Sequence, residues 1–220
     1  MQNPFLAFSY QFKDPQWLKK MLIGSLMFVA CFFIIPLPIM VGYMLQNIRN
    51  ILDKKPNPMP EWKDFGKLFM SGLKFMFAML GYMAPILLIS IIMIFFAIFM
   101  ALAGDSDVGS VLAVGSIFFM IISQAIISIY GLLMMFVYPI LYVKGARQEP
   151  WQNFYKFKEI FRFIRLNFVN LLIVIGLAYI AGFSIFFGIM LFFIGIFPAL
   201  FYSNSVMAYL YGQLGLEEKK

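Results

Sequence analysis

Very few residues of this 220-residue chain could carry chemistry. It has no histidine and a single cysteine, Cys31, which excludes imidazole bases, imidazole metal ligands and an internal disulfide. Close carboxylate pairs occur only at Asp105 with Asp107 and at Glu217 with Glu218. The first pair is a thin ligand set for a divalent cation, since Ca²⁺ takes about six to eight oxygens, so a solvated turn is the favoured interpretation. The sequence therefore predicts no catalytic residue, no metal site and no cofactor.

The most distinctive polar stretch is 42–72, between two apolar runs. It carries five candidate docking residues, which are Arg49, Asp53, Glu61, Trp62 and Asp64. Our hypothesis is that Arg49 pairs with Glu61 or Asp64 and thereby pins the loop against the membrane. The alternative is a solvated loop, in which the acids only favour the start of the next helix through its dipole and the tryptophan suits the interface.

Four polar residues inside the apolar runs form a second candidate set, namely Ser123, Gln124, Ser128 and Asn170. Gln124 stands near the middle of its run. These side chains could line a pathway for a solute, but hydrogen bonding between helices is the usual role of such residues in membranes. No charged residue lies within the interior of these runs, so the sequence offers no proton relay or ion-coupling site.

The composition indicates the environment of the elements that must position these residues. Hydrophobic residues make up 63% of the chain and charged residues 12%, whereas a soluble domain carries roughly 25% charged residues. Too little polar surface is available to coat a water-soluble globule, so much of the exterior must face lipid. The net charge of +7 suits anionic headgroups, and no nucleic-acid-reading motif accompanies it.

Four apolar runs are long enough to span a bilayer, which takes about 20 residues. They are residues 21–46, 73–103, 108–142 and 166–202. The last run is too long for one crossing, so we expect a hairpin that turns near 182–184. Pro36 and Pro38 interrupt the first run, which is either a kinked span or a re-entrant hairpin. The sequence thus predicts an all-α, polytopic transmembrane bundle with proline-broken or re-entrant segments, built as one membrane domain over 1–220.

Three further segments have the pattern of amphipathic helices at the membrane interface, at 14–20, 62–76 and 151–168. In the last two, aromatic and aliphatic residues recur on one helical face and lysine and arginine on the other. Such helices either pack on the chain's own spans or contact lipid, and the pattern leaves both open.

Charge predicts the orientation of the chain. Lysine and arginine concentrate in loops 47–72 and 143–165, whereas loop 104–107 has aspartates and no basic residue. The positive-inside rule predicts that the two basic loops are cytoplasmic and that 104–107 lies outside the cell. If 21–46 crosses once, three N-terminal lysines lie outside; if it re-enters, every basic block lies inside. Charge alone favours re-entry.

The stretch 42–72 also resembles an uncharacterised family of bacterial and archaeal membrane proteins, classed as a domain of unknown function. The resemblance rests on Gly42-Tyr43, Arg49-Asn50, Pro60-Glu61-Trp62-Lys63-Asp64 and Phe69-x-x-Gly72. It implies a polytopic inner-membrane protein, covers most of the chain and transfers no catalytic residue.

These observations predict a non-enzymatic structural or interaction subunit at the cytoplasmic membrane. Its partners would be the lipid bilayer, anionic headgroups and other membrane-protein subunits, with no nucleic acid. The alternative is a small transporter or channel, for which Gln124 would be a pathway residue. An enzyme is the third and least supported class, because a nucleophile would lack a base.

Overall fold

The computed structural model describes residues 3–103, 107–190 and 194–217. Within these ranges the backbone forms eight α-helices and no strand, which confirms the all-α prediction. The helices are α1 (Trp17–Ala30), α2 (Leu37–Leu52), α3 (Phe65–Ala103), α4 (Asp107–Ala146), α5 (Trp151–Phe154), α6 (Phe157–Leu166), α7 (Phe168–Met190) and α8 (Ile196–Glu217). Short 3-10 helices cover Pro4–Phe8, Tyr10–Lys13 and Cys31–Phe33.

Three of the described helices are long and apolar enough to cross a membrane. The stretches are Phe65–Leu102 in α3, Gly115–Ala146 in α4 and Phe168–Met190 in α7. In their most apolar windows only 0%, 11% and 22% of the residues are buried inside the protein. Most of these apolar side chains therefore point outward, where lipid or another helix has to cover them.

The first apolar run is divided into two helices that fold back on each other. α1 ends at Ala30, Ile34 adopts a positive φ of 64°, and Pro36 and Pro38 occupy the N-cap and first turn of α2. Proline is tolerated there because the first helical N–H groups need no partner within the helix. Lys20 in α1 and Tyr43 in α2 both donate to loop carbonyls at Met59 and Pro60, so the two helices run side by side in opposite directions.

The last apolar run is a hairpin, but the expected turn near 182–184 is wrong. α7 continues through these residues to Met190, and α8 begins at Ile196. Ser184 stays helical because its hydroxyl donates to the carbonyl of Ala181 at 2.6 Å, which satisfies it within the helix. The two helices meet closely near their connection, where a Cβ on Gly188 would stand 2.5 Å from the carbonyl oxygen of Gly195.

All three predicted amphipathic segments have different bounds in the structure. The stretch 14–20 is no separate helix, because α1 begins only at Trp17 and continues to Ala30. The stretch 62–76 is no separate helix, because α3 begins at Phe65 and continues without a break into its apolar part. The stretch 151–168 is interrupted at Tyr155 and Lys156, which separate α5 from α6. In α6, Ile160 is buried against the protein while Phe157 and Phe161 are more than half exposed.

The chain divides into two compact units. The larger unit takes residues up to Ala78 and from Phe136 onward, and the smaller unit is Met79–Met135. In the larger unit α8 is central, since it packs against α1, α2 and α7, and its Val206, Leu210 and Leu214 are fully buried.

In the smaller unit the later part of α3 pairs with the earlier part of α4. The Tyr130 hydroxyl donates to the carbonyl of Tyr82 at 2.5 Å, and the Phe96 and Phe119 rings lie 5.0 Å apart. These contacts join the two helices as an antiparallel pair. Asp105 lies outside the described residues, as do the side chain of Asp107 and the loop residues 104–106. The solvated turn at the aspartate pair and the position of this loop outside the cell therefore stay predictions.

Gly72 of α3 allows the closest approach of α2 to α3. A Cβ there would overlap the Pro38 carbonyl, whereas a Cβ on Gly66 of the same helix meets nothing within 4 Å. We expect Gly72→Ala to lower stability by about 1–3 kcal/mol because the packed backbone has to move. The matched Gly66→Ala should be neutral or gain up to about 1 kcal/mol. Thermal unfolding midpoints in detergent measure both, and equal midpoints would contradict the close contact.

Candidate functional site

Loop 53–64, between α2 and α3, is docked on the α1–α2 hairpin through its backbone. The carbonyl oxygens of residues 58–60 accept in order from Asn50 Nδ2 at 2.9 Å, Lys20 Nζ at 2.8 Å and Tyr43 Oη at 3.1 Å. Pro58 and Pro60 hold this segment extended, so its carbonyls are presented to side chains rather than to a helix. We call residues 53–64 the docked loop.

Trp62 closes the docked loop over the same hairpin. Its ring stacks on Tyr43 with the centroids 4.1 Å apart and an interplanar angle of 14°. Its indole N–H donates to the backbone carbonyl of Lys20 at 2.9 Å. Met59 adds a side chain that is only 4% exposed. Trp62 therefore holds the loop by stacking and by one hydrogen bond to α1, as an aromatic ring with a polar edge can do.

Lys20 links the docked loop to the N-terminal segment. Its ammonium forms an ion pair with Asp14 Oδ2 at 2.6 Å, and both side chains are less than a tenth exposed. Asp14 also accepts from the backbone N–H of Gln16, just before α1 begins at Trp17. A buried pair is costly to desolvate and very costly to break, because the remaining charge has no partner. The pair therefore favours one arrangement of the N-terminal segment, α1 and the docked loop.

The predicted pairing of Arg49 with Glu61 or Asp64 is wrong. Arg49 Nε donates to the carbonyl of Ala146 at 2.7 Å and Nη1 to Gln46 Oε1 at 3.3 Å. Glu61 pairs instead with Lys63, which lowers the pKa of the Glu61 carboxyl through a hydrogen bond and a charge. Docking through its carbonyls leaves the acids of the loop at the surface, where water already solvates them.

Arg49 serves a different purpose, at the end of a helix. Ala146 is the last residue of α4, so the guanidinium satisfies a free carbonyl and sits at the negative end of the helix dipole. The amide oxygen of Gln148 lies 3.1 Å from Arg49 Nη2 in the orientation that satisfies both groups. Burial lowers the pKa of Arg49, and the charge of Asp53, the C-cap of α2, opposes that effect.

A second arginine, Arg147, also donates to a carbonyl at the end of a helix. Arg147 Nη2 donates to the carbonyl of Gly215 at 2.7 Å, in the last turn of α8. Lys144 is buried between two acids, 3.3 Å from Glu149 and 3.6 Å from Glu159. Basic side chains thus hold together the C-terminal ends of α2, α4 and α8. We call this end of the larger unit, which also includes Lys20 and the docked loop, the basic side. Sequence reasoning missed Arg147, and no local signal could have found its role, because it caps α8 and not α4, the helix that it directly follows.

A buried network that the sequence analysis did not predict ties the N-terminal segment to α8. Asn47 Nδ2 donates to Tyr10 Oη at 2.9 Å, and Tyr10 Oη donates to the carbonyl of Ser205 at 2.9 Å. Burial raises the pKa of Tyr10 well above its ordinary value, so the phenol stays protonated. One signal could have found Asn47: with Tyr43 and Asn50 it recurs at spacings of four and three residues, which gives α2 one hydrogen-bonding face.

The four intramembrane polar residues are not gathered into one site. Ser123 is buried, whereas Gln124 and Ser128 lie one turn apart on an exposed face of α4. The Ser128 hydroxyl donates to the backbone carbonyl of Gln124 at 2.8 Å, whereas the side-chain amide of Gln124 has no hydrogen-bond partner among the described residues. Asn170 is half-buried on α7 and belongs to the other compact unit.

Among the residues that the structure describes, no group of three or more His, Cys, Asp or Glu could hold a metal ion. Three long apolar helices and a hydrogen-bonded basic side together define the class of this protein, a polytopic α-helical membrane protein.

More particularly, the chain belongs to the family described as protein of unknown function DUF4013, whose model matches residues 25–209. This confirms the predicted membership of an uncharacterised family, while the motif pattern itself stays a prediction. No curated protein and no solved structure matches the chain significantly.

Asn50 carries the sharpest test of the docked loop. Its side chain donates to the Pro58 carbonyl and accepts from Gln46 and Lys55, whereas Asn57 is exposed in the same loop. Asn50→Ala should speed tryptic cleavage after Lys54 by about tenfold in detergent, because lost buried hydrogen bonds cost about 1–3 kcal/mol. The control Asn57→Ala should leave the rate unchanged. Equal rates in both variants would contradict the docking.

Proposed function

We propose that this protein is a non-enzymatic interaction subunit of the cytoplasmic membrane, which binds a transmembrane helix of another membrane protein. One exposed face of α4 carries the proposal. It is formed by Ile117, Ile121, Gln124 and Ser128, whose spacing of four, three and four residues places them along one side of the helix. Ile117 is 54% and Ile121 59% exposed. We call these four residues the α4 face.

Gln124 makes this face unsuited to lipid. Its side-chain amide has no hydrogen-bond partner within the described part of the chain. In hydrocarbon an amide without a partner is costly, and a polar side chain on a neighbouring helix is the usual remedy. Gly131 comes three residues after Ser128 and therefore lies on the same side of α4. A Cβ at Gly131 would meet nothing within 4 Å, so the space beside it is open. Small residues beside a glutamine favour close approach of a partner helix.

The contacts on the basic side support a structural role over catalysis. Lys20, Arg49, Asn50 and Arg147 all donate to backbone carbonyls of this same chain. Side chains held in this way stabilise loops and helix ends, and they are not free to bind a reacting group. The alternative, a small transporter or channel, needs Gln124 in a solute pathway rather than in a helix interface.

We further propose that the basic side faces the cytoplasm, with loops 47–72 and 143–165 inside the cell and 104–107 outside. The positive-inside rule supports this orientation. The antiparallel α1–α2 hairpin supports a re-entrant segment, since Lys20 and Tyr43 contact the same docked loop. Its connecting residues Phe32–Ile35 are 72–80% exposed, which suits insertion into one leaflet. On this arrangement the N-terminus is cytoplasmic too.

Gln124→Leu tests the interaction. Interhelical hydrogen bonds are worth roughly 0.6–2 kcal/mol, so we expect association to weaken by about threefold to thirtyfold. Size-exclusion chromatography with light scattering, after purification from native membranes in a mild detergent, measures the associated fraction. The same substitution on the exposed Gln152 of α5 is the control. A lone monomer in the unaltered protein would overturn the proposal, and solute flux in liposomes lost only in Gln124→Leu would favour the transporter.

Labelling of single cysteines tests the orientation. In a Cys31→Ala background, cysteine replaces Phe5, Asn57, Ser106 or Gln152 in turn, and intact cells are treated with a membrane-impermeant maleimide. We expect labelling of S106C in intact cells and labelling of the other three only after permeabilisation. Labelling of F5C from outside would show that 21–46 crosses the membrane once. Labelling of N57C from outside would reverse the whole orientation.

A further inference from the structure

A groove of about 1000 Å³ lies on the basic side, within the larger unit. One wall is the first part of α3, from Lys67 to Ala78, and the other runs from Gly145 to Tyr155. The Tyr155 hydroxyl donates to the Ala78 carbonyl at 2.6 Å and so joins the two walls at one end. The volume is at the upper end of the range for small-molecule sites, roughly 300–1000 Å³.

The polar edge of this groove is cationic. Lys67 and Lys74 both line it and are both exposed. They are seven residues apart on α3, which places them on the same side of the helix about 10 Å apart along its axis. Neither ammonium has a carboxylate partner in the described ranges, whereas the one acid of the groove, Glu149, is engaged by Lys144 at 3.3 Å. The groove therefore keeps two uncompensated positive charges.

The rest of the groove is aromatic and apolar. Phe75 and Phe154 form its floor, with their rings 5.9 Å apart and both side chains almost completely buried. At the rim Phe77 is 63% and Trp151 66% exposed. Trp is enriched where membranes meet water, and Phe77 lies in the part of α3 after Lys74 that carries no charged residue. The groove thus combines exposed positive charge with exposed apolar surface. A phospholipid combines a charged headgroup with apolar acyl chains, so the two match.

We propose that this groove binds one anionic phospholipid, with Lys67 and Lys74 holding its charged headgroup and Phe77 and Trp151 contacting its acyl chains. Two uncompensated cations suit a headgroup that carries a net negative charge, whereas a zwitterionic lipid would bring its own cation close to them. The inference rests on the proposed function, because it needs the basic side at a lipid–water interface. The proposed site binds one lipid per chain, whereas the other basic side chains would attract anionic lipids of the leaflet without a fixed number.

Native mass spectrometry of the protein released from nanodiscs tests the site. The discs contain phosphatidylcholine with a minor share of phosphatidylglycerol. We expect one phosphatidylglycerol retained per chain. The double variant Lys67→Gln/Lys74→Gln should retain it about thirtyfold less, since each lysine near an anionic surface is worth roughly fivefold in affinity. The control Lys13→Gln/Lys158→Gln removes the same net charge from exposed lysines outside the groove and should retain it fully.

Each other outcome overturns the site. Equal losses in both double variants would mean attraction by net charge alone. Retention of phosphatidylcholine as strong as that of phosphatidylglycerol would show that the two lysines do not select an anionic headgroup. Displacement by millimolar glycerol phosphate would indicate a site for a free phosphate rather than for a lipid. Both faces of a nanodisc meet the same solvent, so a reversed orientation in cells would leave this result intact, and failure of the site is distinguishable from failure of the proposed function.

Discussion

Three consecutive carbonyls, those of residues 58–60, are the acceptors on which the basic side of this protein depends. Each accepts from a different position of the α1–α2 hairpin, since Lys20 comes from the first helix and Tyr43 and Asn50 from the second. A loop that contacted the hairpin through one hydrogen bond could rotate about it. Three hydrogen bonds to consecutive carbonyls fix both the position and the orientation of the loop. The same contacts keep the two limbs of the hairpin antiparallel, so the loop and the hairpin stabilise each other's arrangement.

Basic residues here do two kinds of work that their sequence pattern does not separate. Arg49 and Arg147 donate to carbonyls at the ends of α4 and α8, and Lys20 and Lys144 are buried against acids. These four hold the basic side together. Lys67 and Lys74 have no such partner among the described residues and remain available to a ligand. A positive-inside count treats all six alike, because it records charge and not the groups that each charge meets.

Much of the architecture follows from hydrophobicity along the chain, and part of the candidate site does not. Four apolar runs, the proline break and the hairpin of the last run are local properties, and the structure has them. The predicted turn near 182–184 is wrong because glycine and serine can both stay inside an apolar helix. The serine hydroxyl then donates to a carbonyl one turn earlier in the same helix. The Arg49 partner was misplaced because opposite charges near in sequence suggest a pair, while the nearest unsatisfied acceptor was a helix end 97 residues away.

The amino-acid sequence alone determined that this chain is an all-α membrane protein with basic loops, no histidine and a single cysteine, because those conclusions depend only on composition and on runs of apolar residues. Only the tertiary structure decided that the docked loop is held by its carbonyls, that Arg49 and Arg147 cap helices, and that Gln124 lies on an exposed face. The reason is physical. Every backbone carbonyl looks the same in a sequence, and which of them lacks a partner is known only once the helices have ended and packed.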